Sequence, residues 1–329
     1  MQLRTMIATA AAALALSACT IADVTVAPGD DRLVVEAVLR TDTRGQFILL
    51  HRGVRSGVAE GEVDATVVVT RGDGVSIPFY ETADPCYAID SAYLQAEDPV
   101  DIRGTCYASP RSLGNWVVPG ATYDLSVRTL RGEEARGRTT VPGAFTLRGV
   151  SVSRLEHEPA LPCTLPPLTP LPLTWTQAAG AWGYIAPLRI WGLSRVLPDT
   201  FNAPDPLQLV GVSVSAADTS LVLPGEFGVF DRFDYDQNLL RLLQTGLPAG
   251  TTARVVVAAG DRNYINGVRG GSFNPSGPIR ISSIVGDGVG VFGSLAPLTT
   301  ILEVGTPGPG AIRCGEYQET LPPVVGSAP

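Results

Sequence analysis

From Leu33 onward the chain alternates apolar and polar residues in short runs broken by turn formers. LVVEAVL at 33–39 is apolar and rich in β-branched residues, and FILL at 47–50 follows a turn containing Gly45. VDATVVVT at 63–70 and the run 75–80 flank Arg71-Gly72-Asp73-Gly74. The Asp-Gly pair there tolerates the positive φ angles of a tight hairpin. A segment holding Cys86 and Cys106 interrupts the alternation and reads as a long, stapled connection. Further strands are expected at 115–118, 122–129 and 135–141. About seven short strands over roughly 110 residues predict a β-sandwich of immunoglobulin or transthyretin type.

Pro142-Gly143 marks a boundary, after which Phe145-Thr146-Leu147 opens a second β region with a first strand at 149–155. The Pro-rich stretch 159–172 carries Cys163 and reads as an extended loop. Trp175 on an early strand, followed after a turn by the aromatic run 181–184, resembles the fibronectin type III pattern, in which the Trp fills the core. Later strands are expected at 184–191, 207–215, 226–233, 239–244, 252–259 and 279–285. The run 239–244 fits a helical turn equally well, because short apolar runs do not separate the two periods. Residues 261–267 open a helix or loop, 286–293 read as a glycine-rich turn, and everything after Thr306 reads as a loose tail. The expected fold is therefore all-β: two tandem β-sandwich domains at 32–143 and 144–305, then a tail at 306–329.

Ahead of the first strand the pattern changes. Arg4 precedes a nearly unbroken apolar run at 6–16, shorter than the roughly 20 residues that span a bilayer. Leu16-Ser17-Ala18-Cys19 fits the bacterial lipobox. Residues 1–18 are accordingly a signal peptide, Cys19 is the lipidated residue and 19–31 form a lipidated tether. Each buried methylene of the acyl chains contributes about 0.8 kcal/mol to anchoring. Thr20 stands where Asp would signal inner-membrane retention, so the expected address is the cell envelope at the outer membrane.

Assigning Cys19 to lipid leaves Cys86, Cys106, Cys163 and Cys314. An even set in an exported protein reads as two disulfides, with three connectivities open. The favoured pairs are Cys86–Cys106, local within one domain, and Cys163–Cys314, stapling the tail to the second domain. In the chain-entropy model these closures are worth about 3 and about 5 kcal/mol. A zinc site would need paired C-x-x-C spacing, which is absent, and His51 and His157 fit no ligand pattern. The 24 basic residues, all Arg, against 32 acidic ones give a net charge of −8, which argues against a nucleic-acid partner and against a polybasic membrane patch.

Other motifs have plainer explanations. Gly288-Val289-Gly290-Val291-Phe292-Gly293 satisfies G-x-G-x-x-G, but Pro297 follows almost at once, whereas a dinucleotide site needs a helix there; a tight backbone turn is the better reading. Arg71-Gly72-Asp73 is accounted for by turn chemistry. Asp231, Asp234, Asp236 and Asn238 form a small acidic cluster, of which Asp234-x-Asp236-x-Asn238 matches the opening of an EF-hand loop, yet Leu239 replaces its Gly and Thr245 its final Glu. That leaves a solvated acidic turn or a weak calcium-binding loop. There is no G-x-S-x-G or H-E-x-x-H, and no catalytic residue, cofactor or metal is expected.

Three segments resemble the family of bacterial lipoproteins called domain of unknown function 4249 (DUF4249): Leu33-Val34-Val35-Glu36, the hairpin VVVTRGDG at 67–74, and Phe273-Asn274-Pro275 with the Gly-rich run 284–293. Ser283 stands where the family usually has Asn. The resemblance implies a two-domain β lipoprotein associated with TonB-dependent outer-membrane receptors and brings no catalytic residues. The expected function is a non-enzymatic binding or accessory module, with a TonB-dependent receptor as partner. The alternatives are a carbohydrate- or peptide-binding module, which would show Trp116, Trp182 or Trp191 on one open face, and, further off, a hydrolase. The anchor is directly testable: Cys19→Ser expressed in a diderm host should move the protein from the detergent phase to the aqueous phase in detergent partitioning, and an unchanged distribution would refute lipidation at Cys19.

Overall fold

The computed structural model describes residues 31–52, 60–84, 86, 104–213, 215–228, 236–269 and 281–318. The expected signal peptide, Cys19 and nearly all of the expected tether lie outside these residues. The alternating runs of the first half form β1 (Leu33–Arg40), β2 (Phe47–Arg52), β3 (Thr66–Arg71), β4 (Ser76–Thr82), β6 (Thr122–Arg128) and β7 (Glu134–Thr140), and a further strand, β5 (Thr105–Ala108), begins beside the half-cystine Cys106. The expected strand at 115–118 is irregular instead. The buried Tyr123 hydroxyl accepts from Val118 N at 2.8 Å and donates to the Trp116 carbonyl at 3.0 Å. That side chain supplies what a partner strand would otherwise provide.

The second half contains β8 (Leu147–Arg148), β9 (Cys163–Leu165), β10 (Leu171–Trp175), β11 (Gly183–Trp191), β12 (Leu207–Val212), β13 (Ser220–Leu223), β14 (Thr252–Gly260), β15 (Ile284–Gly286) and β16 (Gly288–Val304). Helices are α1 (Leu193–Val196), α2 (Gln237–Leu243) and α3 (Arg262–Arg269). Several expectations are corrected. The run 239–244 is helical because the Asp236 side chain caps it, accepting from Asn238 N at 2.7 Å. The stretch 149–155 makes only isolated bridges, Gly149 to Tyr317 and Ser153 to Thr299, since the Ser153 hydroxyl bonds both N and O of Leu155 and curls the chain. Residues 226–228 lie in a turn, and 229–233 outside the described residues; of the strand expected at 279–285, residues 279–280 lie outside the described residues, 281–283 are irregular and 284–285 belong to β15. The Pro-rich loop contains β9.

The largest correction is the glycine-rich segment, which is the start of a 17-residue strand rather than a turn. Its glycines permit close approach. Gly290 has φ +129°, and a Cβ built there would collide with the Val35 carbonyl oxygen; one on Gly293 would lie 2.9 Å from Tyr264 N.

The protein is mostly β, with one large mixed sheet and one three-stranded sheet. The large sheet runs β12-β11-β14-β16-β1-β2-β5-β4-β3-β6-β7-β15, with β9 also on β16; the small one runs β13-β10-β8. Strand β16 joins the halves. Its first residues pair parallel with β1 (Leu33 to Gly288 through Arg40 to Leu295), while 295–303 pair antiparallel with β14. One core gathers Leu33, Val35 and Leu39 with Val67, Tyr123 and, from far along the chain, Ile284 and Phe292. A second packs Leu173, Trp175 and Leu221 of the small sheet against Tyr184, Leu188 and Val255 of the large one. A third lies beneath α3. The 143/144 division read from the sequence is thus crossed: residues 284–292 complete the first core.

The seam is polar as well as apolar. Asp261, 5% exposed, ends β14 and opens α3. Its Oδ1 accepts from Tyr264 N and Ser294 N, and its Oδ2 contacts the Thr139 hydroxyl of β7 at 2.8 Å. Asn263 donates to the carbonyls of Arg138 and Phe292. Elsewhere Arg52, 3% exposed, ties β2 to the β6–β7 turn through Glu62 and a bidentate pair with Glu133; that guanidinium holds the Glu133 carboxyl below its ordinary range. The disulfides pair Cys86 with Cys106 and Cys163 with Cys314. The tail as far as 318 lies against the second half, with Cys314 N donating to Thr164 O and Gly315 N to Gly149 O.

Two measurements check this account. Gly290→Ala should cost about 3 kcal/mol in urea unfolding, whereas Gly305→Ala, whose added Cβ meets nothing within 4 Å, should cost little. Burial pushes the Asp261 carboxyl above its ordinary value despite its hydrogen bonds. Its contribution is therefore fully present below the unfolded value of about 4 and is lost as pH rises through the raised folded value. Asp261→Asn, which can keep the acceptor at Oδ1, should remove that fall; equal pH slopes for the two proteins above about pH 4 would refute it.

Candidate functional site

The residues singled out in the sequence are dispersed. Arg71 and Asp73 pair with each other at 2.7 Å across the hairpin tip, and Arg71 also donates to the Trp116 carbonyl. Asp236 is a helix cap; Asp231 and Asp234 lie outside the described residues. Among the described residues no three His, Cys, Asp or Glu side chains are grouped to hold a metal ion, and no helix is long and apolar enough to cross a membrane. His51 sits on β2 with Nε2 3.8 Å from Glu36, while His157 contacts Arg44 at 3.2 Å, and the two histidines belong to separate contacts. The tryptophans do not share an open face. Trp116 is 7% exposed, packed edge-on against Phe79 and Tyr123. Trp191 is half-buried, and Trp182, 46% exposed, has the Arg262 guanidinium 5.4 Å from its ring centre.

The structure instead assembles a site that the sequence does not announce. A cavity of about 270 Å³ opens where the two halves meet. Val117, Phe145, Leu155 and Leu298 give it apolar walls, and Asn115 and Arg154 border it. Each wall is fixed. The 116–118 segment is pinned by Tyr123, whose hydroxyl burial raises above the ordinary phenol value. Residues 153–156 are held between β16, through the mutual Ser153–Thr299 backbone bonds, and the β1–β2 connection, through Glu156 N donating to Asp42 O. Arg154 donates to the Phe145 carbonyl at 3.1 Å. Within this setting the buried Oδ1 of Asn115 has no hydrogen-bond partner. An acceptor left so costs about 1–3 kcal/mol.

A second, open cleft of about 570 Å³ is built on the next residues of the same segments: Thr43 and Arg44, Arg111, then Glu156 and His157. The β1–β2 connection presenting Arg44 is organised by Gln46, whose amide bonds the carbonyls of Arg40 and Thr43 and accepts from Arg40 N. Arg44 Nη2 lies 3.2 Å from His157 Nε2; since a guanidinium can only donate, that ring nitrogen is the acceptor. Arg111 meets Asp84 at 3.4 Å in a pair with both side chains more than half exposed. Asn115, Arg154, Arg44 and Arg111 carried no local signal, because the cavity exists only once five separate segments converge.

No family model matches the chain. No curated protein matches it either. Among solved structures, that of a DUF4785 family protein from Legionella pneumophila subsp. pneumophila str. Philadelphia 1 is similar at 12% identity, covering 68% of this chain and 51% of that one, with a TM-score of 0.20. The chain thus spans about half the length of that protein.

Proposed function

We propose that this chain is a non-enzymatic envelope lipoprotein that binds a small ligand in the cavity between its halves. The observation that carries the reading is the apolar-walled cavity of about 270 Å³ bordered by Asn115 and Arg154 where the two halves meet, since pockets for small molecules combine apolar walls with a few oriented polar groups. The two disulfides suggest an extracytoplasmic protein. The lipobox at 16–19 supports anchoring through Cys19, with the outer membrane as the address and a TonB-dependent receptor as the partner to which ligand is passed. The tandem-sandwich reading is supported in the second half by β13-β10-β8 facing β12-β11-β14-β16 across one core that holds Trp175 and Tyr184, as a fibronectin type III pattern leads one to expect. The family resemblance rests on the sequence motifs at 33–36, 67–74, 273–275 and 284–293.

Ala144 lines the cavity and is exposed, so Ala144→Trp should obstruct it without disturbing either core. In ligand-observed NMR with a panel of small apolar amides and alcohols, at least one compound should lose signal with the native protein and regain it with Ala144→Trp. If no compound is attenuated, or attenuation survives the substitution, the binding reading fails.

A further inference from the structure

The cavity where the halves meet is layered. Val117, Phe145 and Leu298, all but fully buried, make its floor, while Val118, Ala144 and Arg154 form an exposed rim. Among the described residues that line it none is acidic, and Arg154 alone is charged. This holds in a chain whose acidic residues outnumber its basic ones, 32 to 24. The acids closest along the chain are engaged elsewhere. Asp42, next to the lining Thr41, pairs with Arg40 at 2.7 Å, and Glu156 lines the separate cleft. Arg154 is held in place by its Nη1, which donates to the Phe145 carbonyl at 3.1 Å. No carboxylate among the described residues pairs with it. Its Nε and Nη2 remain, the side-by-side donors that match the two oxygens of a carboxylate.

The volume of about 270 Å³ equals that of roughly nine waters in the liquid, room for a hydrocarbon body of about six carbons. One guanidinium balances one negative charge, which suits a monocarboxylate and leaves the second charge of a phosphate uncompensated. Resting on the ligand-binding reading above, we propose that the ligand is a short-chain fatty acid, bound as its carboxylate. The hydrocarbon lies on Val117, Phe145 and Leu298, and the carboxylate takes the Nε–Nη2 edge of Arg154 at the rim. Burial of the chain supplies affinity. The guanidinium fixes which end faces out and selects the acid over a neutral molecule of the same shape. Beside apolar walls that pair is screened less than on an open surface.

Calorimetric titration at neutral pH with hexanoate, hexanamide and hexylammonium tests the proposal. Hexanoate should bind about tenfold more tightly than hexanamide, and hexylammonium more weakly than either. Each methylene removed, from hexanoate to pentanoate to butanoate, should weaken binding about fourfold. Arg154→Gln, at an exposed position, should bring hexanoate down to the level of hexanamide and leave hexanamide unchanged. Arg154→Lys, which keeps the charge and loses the fork, should fall between. Thermal melting checks that both variants stay folded; should either unfold, the ratio of acid to amide on the native protein decides. If hexanoate and hexanamide bind the native protein equally, or if folded Arg154→Gln keeps the preference for the acid, the assignment is overturned; hexanamide binding that Ala144→Trp abolishes then leaves the cavity reading standing. If none of the three compounds binds, the assignment is overturned, and the panel experiment with Ala144→Trp decides separately whether the cavity binds anything.

Discussion

The backbone ladder along β16 is the interaction on which the rest depends. One continuous strand gives one edge to β1 and then to β9, and the other to β14. Its side chains are buried on both faces through most of its length, by the cores on one side and α3 on the other. A strand so enclosed is written as a near-continuous apolar run, without the alternation of a half-exposed one. Glycines are needed where neighbours press closest: Val35 against Gly290 and Tyr264 against Gly293. Because the same strand serves both halves, their relative placement is set by hydrogen bonds and not by a linker, and the seam can hold a shaped cavity.

This double role explains what was and was not legible in the sequence. Strands half exposed to solvent, such as β1, β3 and β6, announce themselves through alternation, and the hairpin at Arg71–Asp73 through its Asp-Gly pair. The start of β16 was read as a turn because glycine signals both turns and close approach, and only the neighbour tells which. The partner, β1, lies at the opposite end of the chain. The helix at 237–243 was ambiguous until its cap, Asp236, was placed. The strand expected at 115–118 failed because Tyr123, a residue of another element, satisfies that backbone.

The candidate site was opaque for the same reason. Asn115 sits beside a core tryptophan, Arg154 in a stretch expected as strand, and Leu298 in β16. None is unusual locally. Their meaning comes from convergence, and from a count that no sequence supplies: which buried polar atoms end without a partner. Of the conspicuous sequence features, Arg71 and Asp73 pair with each other across the hairpin tip, and Trp116 is buried while Trp182 and Trp191 lie at opposite ends of one strand.

The register of β1 with β16 also has a consequence for how the molecule is made. Leu33 waits for Gly288, so the first half lacks a strand and two core side chains, Ile284 and Phe292, until nearly all of the polypeptide has emerged. Contacts separated by roughly 250 residues pay their loop-closure entropy late and fold slowly. The N-terminal half therefore stays without its partner strand until nearly the whole chain is available. Its first-made strands remain uncommitted, and the last long strand to arrive completes both halves at once.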